Sequence, residues 1–475
     1  MQTQLYIDGR WRDGADGTRI QVHDPATSGV IAEVADGRPA DAVEAVEAAA
    51  RAQTSWASAT PRHRSDVLHR CWRAMLDDGD TLTDLIVNEH GKPRADAAGE
   101  VAYAAEFFRW NAEEAVRISG SLARSPSGGN RILVHHPPVG VVAIITPWNF
   151  PAAMITRKLA PALAAGNGAV IKPAAQTPLT ALRIAELITD AGVPPGLVNI
   201  VPTSAPGEWL DATVDQRAVR MLSFTGSTEV GRLLLRRAAD RVFKTVMELG
   251  GNAPFVVFDD ADLDAAVGGA MVAKMRHSAE TCTAANRFLV HDTVADDFAE
   301  RLAEAMGAVR LGSGFEDGVE CGPLIDRTAV DRVAALVDDA RSAGATALVG
   351  GQRFDRPGYF YEPTVLTGVH GSWAIARSEI FGPVAPIIRF HDDDEAVAMS
   401  NDTEMGLTAY VYTQDLARGL AVSERLEAGM VGLNRGAVSD VAAPFGGMKQ
   451  SGLGREGASE GILEFCETQY IAAEW

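Results

Sequence analysis

From Val139 onward the chain alternates short apolar runs with helical windows, and this alternation restricts the folds open to it more than any other feature. Gly140 to Ile145 precedes a helix from about Ala152 to Ala164. Ala169 to Lys172 precedes Leu179 to Ala191, Leu197 to Val201 precedes a short helix, Val219 to Phe224 precedes Glu229 to Ala239, and Thr245 to Leu249 closes the series. Such alternation specifies parallel strands with crossover helices on both faces, a doubly wound α/β domain of the nucleotide-binding type. The pattern restarts at Phe255 to Phe258. It continues through Phe288 to Val290, helices at Val294 to Val309 and Thr328 to Ala343, and strands near Val384 to Phe390, Ala409 to Tyr412 and Met430 to Leu433. Two α/β units in succession predict two doubly wound parallel-sheet domains with a cleft between them.

The remaining segments attach to this frame. Tyr6 to Trp11 reads as a strand with an Asp-Gly turn, followed by helical patterns at Ala40 to Ala57, Pro61 to His90 and about Ala95 to Val116. Between Ser119 and His136 lies a Ser, Gly, Arg and apolar stretch that reads as an excursion, and the tail ends in a strand-like Tyr470-Ile-Ala. Edge strands of this kind commonly pair across subunits, so a small β oligomerisation arm and a homodimer or homotetramer are expected. The division drawn from this is 1–119 with 139–250 for a Rossmann-like unit, 120–138 with 457–475 for the arm, and 251–456 for the second unit.

Composition narrows the partners. A chain of 475 residues, 47% hydrophobic and 22% charged, has ample core and is neither disordered nor fibrous. Its 63 acidic against 43 basic residues give a net charge of −20, which repels phosphate backbones and anionic lipid, so neither nucleic acid nor membrane is an expected partner. Apolar stretches such as Val139 to Ile145 fall well short of the ~18 residues of a bilayer span. Met1 to Arg10 lacks the basic-then-apolar run of a signal peptide, so the expected compartment is the cytoplasm. Cys71, Cys282, Cys321 and Cys466 are too scattered for a disulfide framework or a zinc knuckle, and no metal site is expected.

Several chemistries are missing from the sequence. It contains no His-Glu-x-x-His and no Gly-x4-Gly-Lys-Ser/Thr, and the Gly-x-Gly-x-x-Gly fingerprint is absent from the first strand-to-helix turns. The nearest glycine feature is Phe224-Thr-Gly-Ser-Thr-Glu-Val-Gly231. Gly226 there permits a tight turn, and Ser227 with the free N–H groups of a helix start could hold a pyrophosphate. A Ser cap of the helix explains the same residues equally well.

Four segments taken together are far more specific: Thr146-Pro-Trp-Asn-Phe-Pro151, Glu248-Leu-Gly-Gly-Asn-Ala-Pro254, Glu280-Thr-Cys-Thr-Ala-Ala-Asn-Arg287 and Glu379-Ile-Phe-Gly-Pro383. With them the chain resembles the aldehyde dehydrogenase superfamily over essentially its whole length. The residue types suit that chemistry independently. Oxidising an aldehyde with a nicotinamide needs a tetrahedral centre able to expel hydride, and a thiolate adding to the carbonyl creates one. The resemblance makes Cys282 that nucleophile and assigns the oxyanion to the Asn149 amide and the Cys282 N–H. It makes Glu248 the base that activates water against the thioester, a task suited to a carboxyl raised by burial. Its presence implies hydrolytic release rather than transfer to coenzyme A.

For the cofactor, the resemblance implies Trp148 with Lys172, Pro173, Ala174 and Ala175 at the adenosine half, Gly226 and Ser227 at the pyrophosphate, Leu249 at the nicotinamide, and Glu379 with Phe381 at the nicotinamide ribose. A Glu at position 175 would chelate both ribose hydroxyls and repel a 2′-phosphate; this chain has Ala, which leaves Lys172 free to meet a phosphate. NADP is therefore the preferred cofactor, with NAD also usable.

Local wording narrows the branch. Pro151 to Lys158, Cys282 to Val290 and Pro444 to Gly457 are similar to the succinate-semialdehyde dehydrogenase branch, whose aldehyde carries a distal carboxylate. Such a group calls for charge-assisted partners, and the resemblance maps them to Arg157, Arg276 and Ser439. Two departures stand out. Where the family writes Gly-Gln ahead of the nucleophile, this chain has Ala279-Glu280, and where the branch often carries a second cysteine it has Ala284, so no redox switch is expected. Within the class the rival substrates are glutarate and 2-oxoglutarate semialdehydes. Outside it stand a non-catalytic binding relative, disfavoured by intact Cys282, Glu248 and Asn149, and a plain thiol esterase, disfavoured by the nucleotide-type domain.

Overall fold

The computed structural model describes every residue from Met1 to Trp475. Its first sheet has eight strands in the spatial order Arg10–Arg12, Leu5–Ile7, Val198–Ile200, Gly168–Lys172, Val141–Ile145, Val219–Thr225, Lys244–Glu248 and Gly452–Leu453. The five central strands are parallel and both edges are antiparallel. Alternation within a strand sorts its side chains between two helical layers. Val142 and Ile144 pack with the helices Pro61–Asp77, Arg94–Glu114, Ala153–Ala165 and Pro178–Asp190. Val141, Ala143 and Ile145 face Pro39–Ser58 and Pro206–Val214. A strand buried on both faces reads as a continuous apolar run, which is why these strands are legible.

The second sheet runs Thr346–Val349, Thr364–Thr367, Val384–Phe390, Ala285–His291, Ala253–Val257, Thr408–Tyr412 and Met430–Leu433, parallel except for its first strand. It is sorted likewise: Phe255 and Val257 face Leu263–Met275 and Ala295–Gly307, whereas Val256 faces Arg327–Ser342. The architecture is thus two doubly wound α/β domains with a small β arm. In the arm Arg131–His135 pairs antiparallel with both Ser121–Arg124 and Gln469–Ala473, and Leu122 and Tyr470 are exposed.

Three local features depart from the sequence reading. The window Pro61 to His90 is two helices, Pro61–Asp77 and Gly79–His90, broken at Asp78, whose carboxylate takes two N–H bonds from Arg183 at 2.6 and 2.8 Å. Gly452–Leu453, counted with the second unit in the division above, pairs with Met247 and Glu248 of the first sheet. The helix Ala458–Glu464, counted with the arm, sits on the first domain through Ile462, followed by Phe465 and Cys466. No helix is long and apolar enough to cross a membrane.

Candidate active site

The first sheet reverses strand order beside Val141–Ile145, and the crevice at such a switch point is where doubly wound sheets bind ligands. A cleft of about 230 Å³ opens there, lined by Trp148, Asn149, Gly226, Ser227, Leu249, Cys282, Glu379 and Phe381 among the residues expected at the site. Pro147, Thr225, Gly250 and Arg332 complete it. The cleft joins both domains: Asn149 and Ser227 follow first-sheet strands, while Cys282 lies in the loop between Leu263–Met275 and Ala285–His291. Gly251 makes the close approach possible, since a Cβ there would lie 2.6 Å from the Cys282 carbonyl oxygen.

Cys282 is half-buried; the other three cysteines are buried. Desolvation pushes its thiol up to about 12, Glu248 adding to the rise and Arg157 opposing it. Asn149 is gripped from two sides. Its side-chain amide donates to the Glu280 carbonyl at 3.0 Å, and its own carbonyl accepts from Lys92 Nζ at 2.7 Å. One amide N–H is thereby committed and the second remains for an oxyanion. Lys92 also pairs with Glu100 at 2.6 Å, and Glu100 accepts the N–H groups of Ala152 and Ala153, which start the helix carrying Arg157.

The turn ahead of the nucleophile is strained. His277, Ser278 and Ala279 have φ of 52°, 56° and 65°, three consecutive left-handed residues with no glycine among them. Each such residue costs roughly 1–2 kcal/mol, so the turn persists only where its surroundings hold it. They do: His277 N–H donates to Asp96 at 2.7 Å, Ser278 Oγ accepts from Gly322 N–H at 2.9 Å, and Glu280 Oε1 accepts from Ile325 N–H at 3.0 Å.

Glu248 ends the strand Lys244–Glu248, fully buried, with neither carboxyl oxygen hydrogen-bonded. It is raised to about 8, chiefly by burial and then by Glu456, against the pull of Lys158, Arg157 and Arg455. Lys158 forms a buried ion pair with Glu456. These two residues, with Lys92 and Glu100, escaped the sequence reading: no local pattern distinguishes them, because their partners come from distant segments.

Arg157 is buried, donates to the Tyr103 hydroxyl at 2.7 Å, and lies 3.6 Å from Glu456 and 4.1 Å from the Phe445 ring centroid. Arg276 is half-buried and forms no ion pair; it and Arg157 both act on the Tyr103 hydroxyl electrostatically. Ser439 is half-buried on the loop that continues to Phe445 and makes no hydrogen bond.

The cofactor residues divide. Trp148 and Phe381 meet edge to face at 5.5 Å, and Ser227 Oγ caps the helix Thr228–Ala239 by accepting from Val230 N–H at 3.4 Å. Glu379, raised by burial to about 7, accepts from Gly251 N–H at 3.0 Å, and a Cβ at Gly250 would lie 2.9 Å from its Oε2. A free helix start, a carboxyl facing a glycine and an aromatic wall fit a dinucleotide. Lys172, Pro173 and Ala174 are buried beyond the cleft lining; Lys172, lowered to about 8 by burial, donates to the Pro173 carbonyl at 3.0 Å. Ala175 borders a separate cavity of about 220 Å³ with His23 and Tyr359.

The profile of the aldehyde dehydrogenase family matches residues 11–471. The glutarate-semialdehyde dehydrogenase of Pseudomonas putida is 49% identical over 468 residues, 98% of this chain and 97% of that one. The succinate-semialdehyde dehydrogenase of Paenarthrobacter nicotinovorans is 52% identical over 442 residues, 93% of this chain and 98% of that one. A crystal structure of an Escherichia coli NADP-dependent enzyme superposes with a TM-score of 0.98 at 46% identity, covering 100% of this chain and 98% of the other. The chain belongs to the aldehyde dehydrogenase family. It is an oxidoreductase, an NAD(P)-dependent aldehyde dehydrogenase.

Proposed function

We propose that this enzyme oxidises succinate semialdehyde, or a closely similar carboxylated semialdehyde, to the dicarboxylic acid, with NADP preferred over NAD. The observation that carries the substrate reading is Arg276, a half-buried cation in no ion pair, which acts with Arg157 on the Tyr103 hydroxyl. An anionic tail entering from that side gains a charge-assisted partner without breaking an existing ion pair.

The steps follow from the residues. The Cys282 thiol gives its proton to water and its thiolate adds to the aldehyde carbon, while the free N–H of Asn149 and the Cys282 N–H stabilise the oxyanion. When bound, NAD(P) supplies the hydride acceptor. Trp148, Gly226, Ser227, Leu249, Glu379 and Phe381 are the residues that would hold it, with Lys172 and Ala175 bearing on the 2′-phosphate. Collapse of the tetrahedral centre leaves a thioester on Cys282. Glu248 takes a proton from water, hydroxide adds to the acyl carbon, and the thiolate leaves. Relatives named for succinate and for glutarate semialdehydes lie at similar identity, which keeps the longer homologue as the second reading.

The test is a panel of aldehydes with and without a distal carboxylate, run in parallel with NAD and NADP. A higher kcat/KM for succinic than for glutaric semialdehyde, with NADP ahead of NAD, is the expected result; equal rates with propanal would overturn the substrate reading. Cys282→Ala should abolish turnover while leaving cofactor affinity near normal.

A further inference from the structure

Next to Trp148 and Asn149 of the cleft lies a second pair of titratable groups that these steps do not use. Glu280 and His90 are both fully buried, with Glu280 Oε2 3.7 Å from His90 Nε2. Neither atom has any other hydrogen-bond partner. The pair touches both functional segments. His90 lies against the Trp148 ring, centroids 5.7 Å apart, and the Glu280 carbonyl holds the Asn149 amide. Glu280 Oε1 anchors the strained turn to Ile325.

We infer that Glu280 and His90 are positioning residues for the nucleophile turn, joined by one proton that Glu280 Oε2 carries and His90 Nε2 accepts. The inference rests on Cys282 and Asn149 acting as proposed above. A carboxylate at Oε2 would leave a buried charge facing a neutral imidazole, whereas a carboxylic acid supplies the donor that Nε2 lacks. Closing less than an ångström makes the bond, and it adds a tether to the turn through Glu280. The surrounding charges agree. Burial raises Glu280 and lowers His90, each far from its ordinary range. Lys92 and Arg332 favour the Glu280 carboxylate and Asp326 disfavours it, all to a smaller degree than burial. Beside the pair, His277 is also lowered by burial, and Asp96 is engaged by the His277 N–H.

Infrared difference spectroscopy of the intact enzyme at pH 7, wild type against Glu280→Gln, reads the proton directly. A carboxylic-acid carbonyl stretch present in the wild type, absent in E280Q and displaced in His90→Phe is the expected result. Carboxylate bands in its place would overturn the inference. Kinetics read the positioning: Glu280→Ala should lower kcat about tenfold with KM for aldehyde and cofactor within about twofold, and E280Q, which keeps the Ile325 bond and offers an N–H to His90, should recover most of the loss. A parallel rise in KM, or no recovery, would also overturn it. If E280A fails to fold, the spectra of E280Q and H90F decide. The bands do not depend on turnover, so they remain decisive even if the semialdehyde reading fails.

Discussion

Arg157 donates through Nη2 to the Tyr103 hydroxyl at 2.7 Å, deep in the wall behind Cys282. One of the two expected substrate cations is therefore already committed, to a phenol, to the Phe445 ring and to Glu456. In the proposed reading the discriminating charge is therefore Arg276, and removing Arg157 would disturb the buried Lys158 and Glu456 pair as well.

Arg276→Ala should accordingly raise KM for succinic semialdehyde about 30- to 100-fold, the equivalent of about 2–3 kcal/mol for a charge-assisted bond. KM for propanal should stay within about twofold, because that substrate has no tail to hold. Steady-state kinetics on the two aldehydes check this; equal effects would contradict the assignment.

Glu248 is raised to about 8 and the base role proposed for it requires the ionised form, so thioester release should accelerate as pH rises towards that value. A pre-steady-state burst of NADPH should be most pronounced below pH 8. In Glu248→Gln the burst should survive while steady-state turnover drops about a hundredfold or more. The same shift bears on stability. The folded state keeps a proton that the unfolded chain releases above about 4.5, so this group's contribution is full below that value and is lost as pH rises to about 8. Denaturant titrations across that window should show a shallower decline in E248Q than in the wild type.

Burial lowers Lys172 to about 8, which links cofactor choice to pH. Below that value the ammonium can meet a 2′-phosphate, and above it the attraction fades, so KM for NADP should climb on the alkaline side more than KM for NAD. Ala175→Glu should cut kcat/KM for NADP by about tenfold or more and spare NAD, since it restores the repulsion that Ala removes.

Oxidation should follow a single course. Cys71, Cys321 and Cys466 are all buried, whereas Cys282 is half-buried at the cleft, so none is a ready partner for Cys282. Peroxide should inactivate without an internal disulfide, as intact mass without reductant would register. Recovery in dithiothreitol through a Cys282 disulfide would contradict this.

The continuous apolar run from Val141 to Ile145, covered by helices on both faces, is what made the first sheet legible. The break at Asp78 was missed although Asp78-Gly79 is a turn signal, and the Arg183 contact that holds Asp78 there comes from more than a hundred residues away. Cys282, Glu248 and Asn149 stood out through the motifs around them. Lys92, Lys158, Glu100 and Glu456 did not, being ordinary charged residues until the fold buries them in pairs. The departure at Glu280 was visible in the sequence, but its orientation was not: the side chain points inward, to Ile325 and His90.

The run of three left-handed residues at His277, Ser278 and Ala279 sets an order of failure on heating. Its tethers are a few polar contacts and the His277 ring against Phe150, whereas the sheets rest on extensive buried apolar cores. The turn is the cheapest part of the centre to release, and once it relaxes both Cys282 and Asn149 lose their register. Thermal inactivation should therefore precede the loss of helical ellipticity, and a saturating cofactor that bridges the two domains should narrow the gap between the two temperatures.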